Sequence, residues 1–345
     1  MTDFAHPQDL LLDAQGVCAA AALPVCDHYS GQPERMRKSL QLQAELTAEL
    51  GRCVFDVTLD CEDGATVGQE AAHADLVADL VRTHTQAHPQ ARVAVRVHAL
   101  EHTAFVDDVA RIVGQVGDRL THVMLPKVEN VDQVALAARA LDRAYGPNLP
   151  LHVLLESPAA VQQAFAIAAH PRVQSISFGL MDFVSAHGGA IPASAMGVQG
   201  QFQHPLVLRA KLEIAAACHA YGKVPSHCVV TEFQDTQALT QAAQRASQEL
   251  GYTRMWSIHP AQIRPIVAAF APVAAQIEEA CAILLAGAAA HWGPISHAGV
   301  LHDRASYRYY WHLLQRAQQT GLTLPDNVRR WLPQQALGLP AQPDS

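Results

Sequence analysis

The sequence contains no C-x-x-C pair, and its seven cysteines are scattered along the chain rather than grouped. Seven is an odd number, so the cysteines cannot all pair with one another in disulfides. Scattered thiols of this kind are typical of small apolar core residues in a reducing compartment. The lack of a disulfide framework therefore predicts a cytoplasmic protein.

Secretory and membrane-spanning segments are also missing. The first residues, MTDFAHPQDLLLDAQ, have neither the basic start nor the apolar core of a signal peptide. The most apolar late segment, residues 268–290, carries Gln276, Glu278 and Glu279. These polar side chains favour a helix of a soluble protein over a membrane span, so no membrane partner is expected.

An excess of positive charge is absent as well, since the formal net charge is −8 at pH 7. Such a chain has no electrostatic reason to bind nucleic acid or an anionic membrane. Its 19 histidines form no H-E-x-x-H motif, and its cysteines form no C-x-x-C pair of the kind found in many zinc sites. Nucleic-acid binding and zinc chemistry are therefore disfavoured, whereas a local pocket for a small anion is compatible with the composition.

The sequence does contain eight short apolar runs that alternate with helical patterns. Alternation of this kind predicts a parallel sheet, and eight such units closing into a ring form a (β/α)8 TIM barrel. A doubly wound open sheet is the alternative, but no glycine-rich phosphate loop follows the first run. We predict a barrel over residues 1–270 and a C-terminal helical extension or lid over residues 271–345. The runs lie at residues 23–31, 53–59, 92–97, 122–125, 151–155, 175–178, 223–229 and 254–258.

Two carboxylates closely follow the fifth and sixth runs. Glu156 comes after the fifth run, and Ser157-Pro158 then gives a good start for a helix. Asp182 comes shortly after the sixth run. Because the carboxyl ends of parallel strands meet at one face, these acids are predicted to hold a divalent cation such as Mg²⁺, which would bind an oxyanionic substrate. The simpler interpretation is that each acid only stabilises a helix N-terminus.

Other polar residues follow the remaining runs and complete a predicted ring at the barrel mouth. Arg96 is suited to pair with a carboxylate or enolate, although it is equally compatible with a structural ion pair. Asp60, Glu62 and Asp63 are predicted to anchor Arg96 or Lys127 rather than to touch the substrate. The rest of the ring is Asp27, His28, Tyr29, His98, Ser226, His227 and His259.

Several motifs, in this order and on these runs, resemble the citrate lyase beta-subunit-like group of the HpcH/HpaI aldolase superfamily. They are T-L-D-C-E-D-G-A at residues 58–65, V-R-V-H at 95–98, L-P-K-V-E at 125–129, L-E-S-P-A-A at 155–160, F-G-L-M-D-F at 178–183 and W-S-I-H-P-A-Q-I at 256–263. The resemblance implies a (β/α)8 barrel with Mg²⁺, or Mn²⁺ in its place, on Glu156 and Asp182. It implies that Arg96 binds the substrate, together with the turn Gly179, Leu180 and Met181.

The resemblance also implies a homo-oligomer, a trimer or hexamer, in which a C-terminal segment covers a neighbour's site and brings an aspartate to it. Asp303 is the counterpart of that aspartate in this sequence. The first strand and one later position depart from the family pattern. Asp27-His-Tyr-Ser replaces the usual V-P-G of the first strand, and His98 replaces an asparagine.

The predicted function is a Mg²⁺-dependent carbon–carbon lyase acting on a 3-hydroxy acid or its CoA thioester through a stabilised enolate. Asp303 from a neighbouring chain, or a water on the cation, would exchange the proton. One alternative is a CoA-independent aldolase that releases pyruvate or glyoxylate from a 4-hydroxy-2-oxo acid. Another is a non-catalytic ligand-binding or assembly subunit, although a scaffold would not need Glu156, Asp182 and Arg96 together.

Overall fold

The computed structural model describes residues 23–332 together with Pro7 and Leu11. Within this part of the chain, eight parallel strands pair in chain order and close into a barrel where β8 pairs with β1. The predicted (β/α)8 barrel is confirmed, and each apolar run overlaps one strand. The strands are β1 (Cys26–Ser30), β2 (Phe55–Asp60), β3 (Val93–Arg96), β4 (Val123–Leu125), β5 (Leu151–Leu155), β6 (Val173–Phe178), β7 (Val224–His227) and β8 (Arg254–Ser257).

Helices connect these strands, and side-chain caps fix where several of them begin. Asn130, Ser157 and Asp235 each accept a hydrogen bond from the backbone N–H three residues further on. Such caps satisfy N–H groups that have no partner inside the helix. The helices between strands include Pro33–Leu50, Glu70–Ala87, Val131–Ala144, Pro158–Gln162, Ala164–Ala169, Leu180–Ser185, Pro205–Ala220 and Thr236–Gln248, and Pro260–Phe270 follows β8.

The connection after β3 has an unusual helix. It begins as an α-helix at Phe105–Asp108 and continues as a π-helix at Val109–Val113. It then ends in a short α-helical segment at Gly114–Val116 and a 3-10 helix at Gly117–Arg119. A π-helical segment within an α-helix is rare and often lies at a functional site.

The barrel interior is filled by ion pairs near the beginnings of its strands. Arg254 Nη2 lies 2.8 Å from Asp27 Oδ2 and 2.6 Å from Asp56 Oδ2. Thr58 donates a further hydrogen bond to Asp27 Oδ1 over 2.7 Å. Asp27 is the second residue of β1 and fully buried. The prediction that Asp27 belongs to the ring at the mouth is therefore wrong, because its side chain is committed to Arg254 inside the barrel.

The chain after the barrel packs in a second hydrophobic core, which Leu11 also joins. Helices Ala274–Ala289 and Arg304–Gln319 pack together, and the short helix Asp326–Arg329 follows. An antiparallel hairpin of β9 (Ile295–His297) and β10 (Val300–His302) lies between the two long helices. The buried members of this core are Leu11, Ala280, Cys281, Ile283, Leu284, Ala288, Trp292, Tyr307, Trp311, Leu314, Ala317, Leu324, Val328 and Leu332. Residues 333–345 of the predicted extension lie outside the described part of the chain.

Among residues 23–332, no single helix is long and apolar enough to cross a membrane. Helices Pro260–Phe270 and Ala274–Ala289 pass on length and composition only when taken together, across a bend of 41°. The six cysteines in the same part of the chain are buried and free. Cys18, the seventh, lies outside it.

Candidate active site

The two carboxylates of the predicted cation site follow neighbouring strands of the barrel. Glu156 comes directly after β5, and Asp182 lies in the first turn of the helix after β6. A Cβ on the intervening Gly179 would lie 2.7 Å from Glu156 Oε2, so the two strand ends approach closely. Burial, and then the charge of Asp182, raise the pKa of Glu156 to about 8. A divalent cation fits here, because it would relieve the repulsion between the two acids.

The backbone of Lys127 orients Glu156. Lys127 has a φ of 53°, in the left-handed region that few residues other than glycine adopt. In this conformation its N–H donates to Glu156 Oε1 over 2.6 Å. Strained backbone of this kind is often found at functional sites. Lys127 therefore fixes one oxygen of Glu156 and leaves the other for a ligand.

Arg96, the last residue of β3, is held by two parallel hydrogen bonds. Its Nε and Nη2 donate to the two carboxylate oxygens of Asp60 over 2.7 and 2.6 Å. Asp60 also accepts the backbone N–H groups of Glu62 and Gly64. Burial alone would lower the pKa of Arg96, but Asp60 and Glu62 raise it above its usual range. The guanidinium is thus a permanent cation in a fixed plane.

Glu62 connects this cation to Lys127. Its Oε2 lies 3.3 Å from Arg96 Nη1, and its Oε1 accepts a hydrogen bond from the Lys127 ammonium. The ammonium also lies 3.3 Å from Asp63 Oδ1. In the structure, the three predicted anchoring acids thus contact the two cations. They leave Glu156 and Asp182 as the acids available to an added cation.

Four side chains form an apolar floor beneath these charged groups: Tyr29, Met124, Leu154 and Trp256. The rings of Tyr29 and Trp256 lie 4.1 Å apart, and the Arg96 guanidinium lies 5.6 Å from the centre of the Tyr29 ring. The Tyr29 hydroxyl is buried and has no hydrogen-bond partner within the described residues. The floor lowers the local polarity, which strengthens each charge interaction above it.

A cavity of about 720 Å³ opens beside the floor. Its lining includes the buried Arg96 and Tyr29 and the exposed Arg35 and Lys38. Arg35 and Lys38 are three residues apart on the helix Pro33–Leu50, so they share one face of it. The site predicted from the sequence did not include Arg35 and Lys38. Their spacing on one helix face, just after the first strand, could have indicated them. An elongated ligand with an anionic far end would fit this arrangement.

Other predicted site residues lie elsewhere or face away. The Leu180 side chain is buried in the hydrophobic core, so it does not face a ligand. Asp303 caps the helix Arg304–Gln319, accepts the N–H of Ala305 over 2.9 Å, and is not among the residues that line the cavity. His227 is fully buried, with its Nε2 2.9 Å from the Lys211 ammonium. The prediction that His227 belongs to the mouth is therefore wrong.

A second group of potential metal ligands lies inside the barrel. Asp27, His122 and His152 each bring one ligand atom within 4.8 Å of the others, and all three are buried. However, Arg254 already neutralises Asp27 at 2.8 Å, and the two imidazole rings stack at 3.5 Å. Mg²⁺ prefers oxygen ligands, so this nitrogen-rich group fits it less well than the two acids at the mouth.

The fold and the mouth together define a TIM-barrel protein with two neighbouring acids and an anchored arginine at the carboxyl ends of its strands. Residues 41–260 match the model of the HpcH/HpaI aldolase/citrate lyase family. Because this match spans more than half of the chain, the chain belongs to that family. The predicted resemblance is therefore confirmed.

Three relatives illustrate the relationship. The L-malyl-CoA/beta-methylmalyl-CoA lyase of Cereibacter sphaeroides is 30% identical over 246 residues, which cover 65% of this chain and 76% of that one. A citrate lyase structure from Burkholderia xenovorans is 48% identical, with a TM-score of 0.80, and covers 94% of this chain and 98% of its own. The protein CitE from Mycobacterium tuberculosis, solved with magnesium, acetoacetate and coenzyme A, is 22% identical, with a TM-score of 0.66 and coverage of 86% and 99%. The last likeness shows the fold alone. The family and the lyase relatives confirm the prediction of a carbon–carbon lyase.

Proposed function

We propose that the chain is a Mg²⁺-dependent lyase that cleaves, or in reverse forms, the carbon–carbon bond of a 3-hydroxyacyl thioester of CoA. The observation that carries the proposal is that one barrel mouth holds Arg96, the Glu156–Asp182 pair and a cavity of about 720 Å³. The Cereibacter sphaeroides relative is named for malyl-CoA, and this supports a thioester over a free acid.

Glu156 and Asp182 would hold the cation, and Mn²⁺ would fit the same oxygen ligands. When bound, Mg²⁺ polarises a carbonyl oxygen and offsets the charge of an enolate. The substrate would lie against the turn that begins at Gly179, where the absent side chain leaves room beside Glu156. Met181 of this turn is partly exposed and would line the same space.

The residues of the chain bind and orient the substrate. Arg96 would pair with a substrate carboxylate, and Asp60 holds its guanidinium in one plane before the ligand arrives. Tyr29, whose hydroxyl lacks a protein partner within the described residues, would donate a hydrogen bond to the ligand. The apolar floor excludes water from below. Arg35 and Lys38 at the edge of the cavity would bind the phosphates of CoA.

The organisation of the chain is part of the proposal. Residues 1–270 would form the catalytic barrel, and residues 271–345 an extension that packs on a neighbouring protomer in a trimer or hexamer. The separate hydrophobic core of the extension supports this division. Asp303 would then act only in a neighbour's site. A cytoplasmic location is supported by the six free thiols of the described residues.

The test is cleavage of malyl-CoA, and of free 4-hydroxy-2-oxo acids, by the full chain with Mg²⁺ or with EDTA. We expect thioester cleavage only with Mg²⁺, and a loss of at least ~10²-fold in D182N because a cation ligand is removed. The control is D118N, which changes an exposed aspartate. Cleavage of free acids alone would favour a CoA-independent aldolase. Full activity of D182N would contradict the ligand assignment, and an inactive wild type that binds no acid would favour a non-catalytic subunit.

A further inference from the structure

His98, two residues after Arg96, forms a close pair with Asp108. Asp108 Oδ2 lies 2.7 Å from His98 Nδ1 and accepts the His98 backbone N–H over 2.8 Å. The Asp108 side chain is 1% exposed, whereas that of His98 is 10% exposed. Because the carboxylate engages Nδ1, Nε2 is the nitrogen that can exchange a proton with a ligand.

His98 lines a second cavity at the barrel mouth, of about 530 Å³, which we call the His98 crevice. Its walls include Glu62 and Lys127, which bond to each other. Glu62 also contacts Arg96, and the Lys127 backbone holds Glu156. Asp63 lines both the His98 crevice and the cavity of about 720 Å³, so the crevice adjoins the candidate active site next to the Glu62–Lys127 ion pair.

The backbone around β3 directs His98 toward the mouth. Val97 N–H donates to the carbonyl of Met124 in β4 over 3.3 Å, so pairing continues one residue beyond Arg96. Val97 packs in the main hydrophobic core, and alternation along a strand places Arg96 and His98 on the opposite face. The π-helix Val109–Val113 begins directly after Asp108. A local departure from regular helix thus coincides with the residue that holds His98.

We propose that His98 moves the proton of the lyase reaction within its own chain, and that Asp108 is its positioning residue. The proposal rests on the proposed lyase function, and it places this role in the same chain rather than on a neighbour's Asp303. The hydrogen bond from Asp108 raises the pKa of His98 above its ordinary 6.5, and Glu62 and Glu70 act in the same direction. The ring of His102 stacks on His98 at 4.4 Å.

The proton balance closes without another reactant. In cleavage, neutral Nε2 takes the proton of the substrate hydroxyl while the carbon–carbon bond breaks. The O–H electron pair forms the new carbonyl bond, and the electron pair of the broken bond passes to the thioester enolate. The imidazolium then gives the proton to the enolate carbon, which releases the acyl thioester and returns His98 to its neutral form.

The experiment compares the variants H98N, H98Q, D108N and D303N in the full chain, with H88N as a matched change at an exposed histidine. Two readouts are taken: kcat and KM for malyl-CoA, and uptake of deuterium from D₂O into the methyl group of acetyl-CoA. We expect H98N and H98Q to lose ~10²–10⁴-fold in kcat and in deuterium uptake, with little change in KM. D108N should move the acidic limb of kcat/KM to lower pH, because it removes the group that raises the pKa of His98.

Calorimetric binding of oxaloacetate with Mg²⁺ shows whether each variant is folded. Folded H98N or H98Q with kcat within about threefold of wild type would overturn the proposal. Loss of both readouts in D303N alone would give the role to the neighbouring chain. A wild type that exchanges deuterium without cleaving the thioester would overturn only the proposed substrate, whereas a wild type that does neither would overturn both proposals.

Discussion

At the scale of single residues, Glu156 combines deep burial with a neighbouring negative charge. Its Oε1 is fixed by the Lys127 N–H, while burial and Asp182 raise its pKa to about 8. The ionised form of Glu156 is therefore unfavourable without a cation, and a proton competes with the cation for the carboxylate. This competition makes the cation site measurable without any substrate.

The first prediction concerns the pH dependence of Mg²⁺ binding. Below pH 8, where Glu156 carries a proton, the cation must displace it, so affinity should fall by up to about tenfold for each pH unit. Above that pH the affinity should level off. Isothermal titration at several pH values on both sides of 8 measures this, with E156Q as a variant that should lose binding. A dissociation constant independent of pH would contradict the assignment.

The second prediction concerns stability in the absence of metal. Glu156 has a higher pKa in the folded chain, about 8, than its ordinary 4.5. The folded state therefore binds more protons between these values, and the free energy of unfolding should fall as pH rises through that window. Thermal unfolding in EDTA should show this loss relative to E156Q, which cannot titrate. Saturating Mg²⁺ should remove the difference in stability between low and high pH. A stability that rises with pH in wild type but not in E156Q would contradict this prediction.

The third prediction concerns Asp60, which holds Arg96 in place. D60N removes the charge and one of the two acceptors for the guanidinium. We expect a rise in KM of ~10-fold or more, since Arg96 is no longer oriented before the substrate arrives. Unfolding in urea should also show a loss of ~1–3 kcal/mol, because a buried donor loses its acceptor. D118N serves as the control, and an unchanged KM in D60N would show that Arg96 needs no anchor.

At the scale of elements, the strands were predictable because each lies in a short run that is rich in apolar residues and alternates with a helical pattern. Val93 and Val95 pack against helices, and Arg96 ends the strand with a side chain that needs a charged partner. The same logic located Glu156 and Asp182. The π-helix after Asp108 was not predictable, because its pattern of apolar residues is compatible with an ordinary α-helix.

The fourth prediction tests the close approach of the ends of β5 and β6. In G179A, the new methyl group would lie 2.5 Å from Glu156 Cβ and 2.7 Å from its Oε2, so Glu156 must move. Mg²⁺ affinity should fall by at least ~10-fold although no charge has changed. G114A is the matched control, because a Cβ there has no contact closer than 3.8 Å. Equal Mg²⁺ affinity in the two variants would show that Glu156 does not depend on this packing.

At the scale of the whole molecule, contacts between distant parts of the sequence set the limit of prediction. Arg254 and Asp56 are 198 residues apart, and neither carries a local signal of the ion pair that fills the barrel. The Glu62–Lys127 contact joins the loops after β2 and β4, and the sequence predicted acids that anchor Arg96 or Lys127 without showing which acid meets which cation. The order of the strands follows from the local alternation of apolar runs and helical patterns. Which charged side chains pair with one another depends instead on how the strands close into a barrel.

The last prediction follows from the separate core of the C-terminal extension. Trp311 is fully buried in that core, whereas Tyr309 on the same helix is 59% exposed. W311A should destabilise the extension by ~3–5 kcal/mol through the cavity it leaves, and Y309A should have little effect on stability.

The barrel contains both proposed cation ligands, so W311A should still bind Mg²⁺ by calorimetry. If the extension also joins protomers, light scattering should show smaller particles for W311A, and thioester turnover should fall with them. If W311A lost both Mg²⁺ binding and the folded extension, the barrel and the extension would not be separately packed units. The barrel would then need the extension to keep the residues of its mouth in place.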